Sequence, residues 1–208
     1  MFVKCYLIRH GATQGNLQGR YVGGTDEPVL PDRLEILNNL RHTISAVDHA
    51  FTSPYLRCRQ SAEALFSNSV VVPEIICDFR EMDFGEFEYK NFQELNGNKE
   101  YQKYIDSGGA TAFPGGEEPQ HFKARCRRAF LSCVGKARAR SFETVGFALH
   151  GGTIMAVMEA WGEPRRDYFA YQVKNGCGYE VEAVFQPQLR LQVKREISAD
   201  TGFTKQGG

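Results

Sequence analysis

Neither sign of charge dominates this chain: its 208 residues hold 25 Lys and Arg against 25 Asp and Glu. A neutral balance gives no electrostatic case for binding nucleic acid in bulk or an anionic membrane surface. Long apolar runs are also missing, and none approaches the roughly 20 residues of a membrane-spanning helix. No N-terminal signal pattern is present, because Met1-Phe2-Val3-Lys4 leads straight into an apolar run. Cysteine occurs, but not at ligand spacing. The residues stand singly at 5, 58, 77, 126, 133 and 177, and without a Cys-x-x-Cys pair a zinc site is not expected. Buried, reduced thiols in a cytoplasmic protein are the expectation. Internal repeats and low-complexity tracts are absent too.

What is there alternates between strand and helix patterns. This predicts an α/β fold, three layers deep, with a mainly parallel sheet and helices on both faces. The length suits one domain spanning 1–208. Strands are expected over 2–9, 49–52, 70–72 (with Ile75-Ile76 extending the edge) and 144–149. A hairpin over 179–185 and 189–197 finishes the sheet. Leu34, Leu37, Leu40, Arg41 and Ile44 fit one helical stripe. Ser53-Pro54 reads as a serine N-cap with proline at the first helical position. Phe122, Cys126, Ala129, Phe130, Cys133, Val134 and Ala137 share a second stripe. Glu117 and Glu118 lie at its start and Lys136, Arg138 and Arg140 at its end, as the helix dipole favours. Residues 83–116, rich in aromatics and glycine, read as a cap insertion whose aromatics either form their own small core or meet a partly flat organic group of a ligand. The tail from about 198 is small and polar, and is expected to be flexible.

Three basic sites share one topological address. His10 ends the first strand in Arg9-His10-Gly11, and Gly11 lets the chain turn so that both side chains can face one anion. Arg57 lies in the first turn of the helix after Phe51-Thr52. His150 follows Ala148-Leu149, and Gly151 and Gly152 bare N–H groups at a helix start. All three belong at the C-terminal edge of a parallel sheet. Phosphate fits such a set best, because guanidinium forks match its oxygens in pairs. Glu81 would stand beside that anion, which would raise its pKa and make it a proton donor. Asp83, Glu86 and Glu88 compete for that role.

The segments Leu-Ile-Arg-His-Gly-Ala-Thr-x-x-Asn at 7–16, Thr-Ser-Pro-Tyr-Leu-Arg-Cys-Arg-Gln-Ser-Ala-Glu at 52–63, Glu-Met-Asp-Phe-Gly-Glu-Phe-Glu at 81–88, Phe-Pro-Gly-Gly-Glu at 113–117 and Ala-Leu-His-Gly-Gly at 148–152 occur in order. With them the chain resembles the histidine phosphatase superfamily and its phosphoglycerate-mutase-like fold. The resemblance implies that His10 is the nucleophile and forms a phosphohistidine. Arg9, Arg57 and His150 would hold the phosphoryl oxygens, Gly151 would offer its N–H, and Asn16 would reach the phosphate or substrate from its loop. Glu81 would protonate the leaving oxygen and then activate water. No metal or cofactor is implied, since fixed cations neutralise the charge. The sequence departs from the family pattern at Val22 (usually polar), Tyr89 (commonly glycine), Glu118 (commonly serine) and Leu30-Pro31-Asp32-Arg33.

Arg80-Glu81-Met82-Asp83-Phe84-Gly85 resembles the phosphatase branch, including alpha-ribazole phosphatases. The expectation is therefore a metal-independent phosphomonoesterase. Its substrate would be a small organic phosphate ester, with alpha-ribazole 5'-phosphate a candidate, and its product inorganic phosphate, with no nucleic-acid or membrane partner. The alternatives are a cofactor-dependent phosphoglycerate mutase or sugar-bisphosphate phosphatase, and a non-catalytic phosphate-binding protein.

Overall fold

A computed structural model describes residues 2–69 and 71–198. Its strands are β1 (Phe2–Arg9), β2 (His49–Thr52), β3 (Glu74–Ile75), β4 (Thr144–Leu149), β5 (Gly162–Glu163), β6 (Gly178–Phe185) and β7 (Leu189–Ile197). Among the described residues they form one sheet in the order β3-β2-β4-β1-β6-β7-β5. β1, β2, β3 and β4 pair in parallel, β6 is antiparallel to β1 and β7, and β5 is parallel to β7. Only β6 therefore runs against the rest, and the sheet is mixed but mainly parallel.

The helices are α1 (Gln14–Leu17), α2 (Pro31–Leu40), α3 (Leu56–Phe66), α4 (Lys99–Asp106), α5 (Pro119–Ala139) and α6 (Gly151–Trp161). Side-chain alternation along β1 divides the core. Cys5 and Leu7 face Phe130, Cys133 and Val134 of α5 and Ile154 and Met158 of α6. Tyr6 and Ile8 face Leu37 and Leu40 of α2 and Ala62, Leu65 and Phe66 of α3. Two apolar stripes on each side of a strand-rich layer give the three-layer architecture.

Four local expectations change. Val71 and Val72 are not in a strand; the edge strand is Glu74–Ile75, and Val72 is 88% exposed. Val70 and the tail beyond Ser198 lie outside the described residues. A β-branched run carries strand propensity but cannot pair without a neighbour in register, and β2 offers its edge to Glu74 and Ile75. The α2 stripe stops at Leu40, and a 3-10 turn over Arg41–Thr43 brings Ile44 into the same core. Ser53 is not a helix cap, since α3 starts at Leu56 with Tyr55 at its N-cap. Glu117 lies outside the first turn of α5, which contains no acidic residue; its carboxylate pairs with Arg125 instead.

Residues 85–113 add no strand to the sheet. Phe87, Leu95 and Phe113 bury one another there, with Tyr21, Phe84, Tyr101 and Tyr104 packed against them. Tyr89, where glycine is common in the family, has a φ of 61°. Its hydroxyl donates to Glu27 at 2.5 Å and its N–H to the Tyr21 carbonyl at 2.8 Å. These bonds offset the strain of a left-handed tyrosine.

Gly178 shows how tightly β6 approaches β1. A Cβ there would sit 1.9 Å from the Leu7 carbonyl oxygen, whereas one on Gly135 would meet nothing within 4 Å. Gly178→Ala should therefore lower stability by about 2 kcal/mol or more. Gly135→Ala, in the interior of α5, should raise it by about 0.5 to 1 kcal/mol. Denaturant unfolding of the two variants checks both signs.

Candidate active site

The central strands end side by side. β1 delivers His10, β4 delivers His150 and β2 delivers Ser53, with β4 lying between β1 and β2. The connection from β1 runs through α2 on one face and that from β4 through α6 on the other, so a crevice opens between them. The His10 N–H donates to the Leu149 carbonyl at 2.9 Å, fixing its backbone beside β4.

The His10 ring is tied by its own loop. Nδ1 lies 2.7 Å from the Gly11 carbonyl oxygen. A carbonyl can only accept, so Nδ1 carries the proton and Nε2 keeps its lone pair. His10 is 3% exposed. Burial, then the charges of Arg57 and Arg9, hold its pKa well below the ordinary value, against a smaller upward pull from Gly11. His150 is wholly buried, and burial followed by Arg57 lowers its pKa in the same way. The two rings meet edge-on, with centroids 5.2 Å apart. Ser53 Oγ lies 2.7 Å from His150 Nε2.

Arg57 is fully buried. It donates to the carbonyls of Thr25 (2.7 Å), Gly23 (2.9 Å) and Val22 (3.3 Å). Glu88 grips the same loop from its N–H side, accepting from Gly23, Thr25 and the Thr25 hydroxyl. Val22 thus serves through its backbone, and its side chain adds an apolar wall to the cavity. Arg9 donates to the Val173 carbonyl at 2.9 Å. The Nε–H groups of Arg9 and Arg57 are buried with no acceptor among the described residues. Unpaired buried donors are costly, and a phosphoryl oxygen is an acceptor of the matching kind.

Glu81 stands across the crevice. One carboxyl oxygen accepts from Met82 N–H at 3.0 Å, the other from Gly152 N–H at 3.2 Å. A Cβ on Gly152 would lie 2.4 Å from Glu81 Oε1, so glycine is what admits the carboxyl to the start of α6. The residue keeps partial exposure to the cavity, but its carboxyl is packed within the protein. Burial raises its pKa; the two N–H bonds and the charges of Arg57 and Arg9 pull the other way and lose. A neighbouring anion was the cause expected from the sequence, whereas desolvation raises this pKa with no anion present.

A cavity of about 950 Å³ is lined by Arg9, His10, Asn16, Glu81 and Gly151 among others. Arg57 and His150 are not on its open wall. Of the competing carboxylates, none lines it: Asp83 and Glu86 are exposed and Glu88 is spent on the 23–25 loop. Asn16 Oδ1 accepts from Thr13 N–H (3.2 Å) and Asn175 Nδ2 (3.1 Å), which leaves its amide N–H₂ to offer.

Arg125 lies outside the sequence motifs. It is 5% exposed, and its guanidinium takes Glu117 in a fork of two 2.7 Å bonds. It also donates to the carbonyls of Asp78, Arg80 and Glu81 at 2.7, 2.8 and 3.0 Å. An arginine between Phe122 and Cys126 in an apolar stripe was the available signal, because such a cation needs a buried partner. Ser53 and Asn175 carried no such signal.

Two consequences can be measured. His10 and His150 have folded pKa values below the unfolded value of about 6.5, so the unfolded chain binds more protons as pH falls. Each should remove stability below a pH of about 6.5, at up to about 1.4 kcal/mol per pH unit. His10→Asn should lessen the slope between about pH 6.5 and about pH 5 in urea titrations. Arg125→Lys keeps a charge but cannot span three carbonyls and a carboxylate. It should lower kcat by about 10- to 100-fold with little change in KM.

The histidine phosphatase superfamily (branch 1) model matches residues 5–187. The adenosylcobalamin/alpha-ribazole phosphatase of Escherichia coli K12 is 24% identical over 180 residues, covering 84% of this chain and 87% of that protein. The alpha-ribazole phosphatase structure from Shigella flexneri superposes with a TM-score of 0.79 at 24% identity, covering 97% of this chain and 99% of the other. A phosphoglycerate mutase structure from Thermus thermophilus gives 0.70 at 26% identity, covering 94% and 99%. The match across nearly the whole chain, on a site built at the β1, β2 and β4 ends, shows that the chain belongs to the histidine phosphatase superfamily, a family of phosphatase enzymes.

Proposed function

We propose that the chain is a metal-independent phosphomonoesterase that works through a phosphohistidine on His10. The observation that carries this reading is the His10 Nδ1 contact with the Gly11 carbonyl, which leaves Nε2 unprotonated in the cavity. Nε2 attacks phosphorus, the N–P bond forms and the P–O bond to the alcohol breaks. The ring becomes cationic, and the Gly11 carbonyl accepts from its N–H. Arg9, Arg57 and His150 hold the phosphoryl oxygens, with Asn16 and the Gly151 N–H beside them. Glu81, whose pKa burial raises, gives its proton to the leaving oxygen. In the second step the Glu81 carboxylate takes a proton from water. The water oxygen bonds to phosphorus, the N–P bond breaks, and phosphate leaves with His10 and Glu81 restored.

Fixed cations supply the charge neutralisation that phosphoryl transfer needs. Cys5, Cys58, Cys126 and Cys133 are free and buried, which suits a reducing cytoplasm. No helix among the described residues is long and apolar enough to cross a membrane. The names of the relatives point to alpha-ribazole 5'-phosphate as a substrate, with phosphoglycerate mutase as the second reading. Phosphatase turnover of esters without 2,3-bisphosphoglycerate favours the first; activity that requires it favours the second.

His10→Ala should abolish turnover, and EDTA should leave the parent unaffected. Glu81→Gln should slow phosphorylation by alkyl phosphates by about 100-fold or more, and by p-nitrophenyl phosphate far less, since p-nitrophenolate hardly needs a proton. Equal slowing of that step for both esters would remove Glu81 from the role of acid.

A further inference from the structure

Among the described strands only β6 runs against β1, and its direction decides what meets the nucleophile. A parallel neighbour brings the turn that follows it to the C-terminal end of β1. An antiparallel neighbour brings the turn that precedes it. Here that turn is Lys174-Asn175-Gly176-Cys177, closed by the Cys177 N–H on the Lys174 carbonyl at 3.1 Å. Gly176 has a φ of 76°, which the third residue of a type II turn requires. The Cys177 carbonyl accepts from the Arg9 N–H at 2.9 Å. The Gly176 N–H donates to the carbonyls of Arg9 (3.0 Å) and His10 (3.2 Å). Just upstream, the Val173 carbonyl accepts from the Arg9 guanidinium.

Asn175 lines the catalytic cavity. Its Nδ2 makes two contacts, with the His10 carbonyl at 3.2 Å and with Asn16 Oδ1 at 3.1 Å. Backbone groups fix the sense of both. The Thr13 N–H can only donate, so the Asn16 atom it meets at 3.2 Å is the oxygen. The Asn175 atom facing that oxygen must then be the nitrogen, and its second hydrogen goes to a carbonyl that can only accept. The Asn16 oxygen is thus held from two sides, and its N–H₂ is what remains for the cavity. A flipped Asn16 amide would set its oxygen against the oxygens of a phosphoryl group, acceptor against acceptor.

We infer that Asn175 is a positioning residue of the phosphate seat: it holds Asn16 Oδ1 so that the Asn16 amide N–H₂ meets the phosphoryl group. The inference rests on the phosphomonoesterase reading above and adds to it a residue that works through Asn16. Both hydrogens of the Asn175 amide are engaged within the protein. The His10 carbonyl keeps the Gly176 N–H when Asn175 is replaced, so the cost of replacement falls on Asn16.

The test is a double-mutant cycle read by vanadate affinity and by kcat/KM for p-nitrophenyl phosphate. Asn175→Ala should weaken vanadate binding and lower kcat/KM by about 10-fold, the scale of one lost hydrogen bond to a charged group. Asn175→Asp keeps the shape but has no N–H at neutral pH, and should lose at least as much. Asn16→Ala alone should cost about 10-fold or more. Adding Asn175→Ala to Asn16→Ala should then cost no more than about twofold further. A larger further cost, which a merely structural role would produce, overturns the inference. So does an Asn175→Asp enzyme equal to the parent, or a parent that binds no vanadate. His10→Ala separates the two claims: turnover in that variant defeats the phosphohistidine reading, while vanadate affinity, which needs no turnover, still decides the role of Asn175.

Discussion

The rest of the site depends on one hydrogen bond, from His10 Nδ1 to the carbonyl of the next residue, Gly11. It selects the tautomer, and so decides which nitrogen can attack. Gly11 keeps that geometry because Val29 packs where a Cβ would go, 2.6 Å away. Its N–H is held by Ser61 at 3.0 Å. The imidazole is kept neutral by burial and by the guanidinium groups around it. Those guanidinium groups are also the proposed phosphate ligands, so one arrangement prepares the nucleophile and the seat.

Glu81 is the counterpart. A carboxyl at a helix N-terminus with two N–H donors would ordinarily ionise readily. Packing it into the protein pushes its pKa up instead. The result is a His10 pKa pushed down and a Glu81 pKa pushed up on the lining of one cavity, the divergence that separates a base from an acid. The Arg125–Glu117 pair fixes the stretch of chain that carries Glu81, because the same guanidinium holds the Glu81 carbonyl.

Much of this was legible in the sequence because it rests on position along strands. His10, Arg57 and His150 could be brought to one sheet edge from chain order alone, and the buried stripe of α5 could be read from its period. Contacts between distant loops could not. Ser53 read as a cap because Ser-Pro favours one, yet its hydroxyl meets His150. Glu117 read as a dipole partner, yet Arg125 claims it. The triple valine at 70–72 carried strand propensity, but the register beside β2 fell to Glu74 and Ile75. Tyr168 and Phe169, in a single short turn, gave no periodic signal for their place on the cavity wall.

The central claim is that His10 carries the phosphoryl group between substrate and water. It is tested most directly by mixing enzyme with excess phosphate ester, quenching within milliseconds into alkaline denaturant, where an N–P bond survives, and mapping the phosphorylated peptide. The account predicts phosphate on His10, formed before inorganic phosphate is released. Product release with no phosphoenzyme at any time, or phosphate on a different side chain, would contradict it.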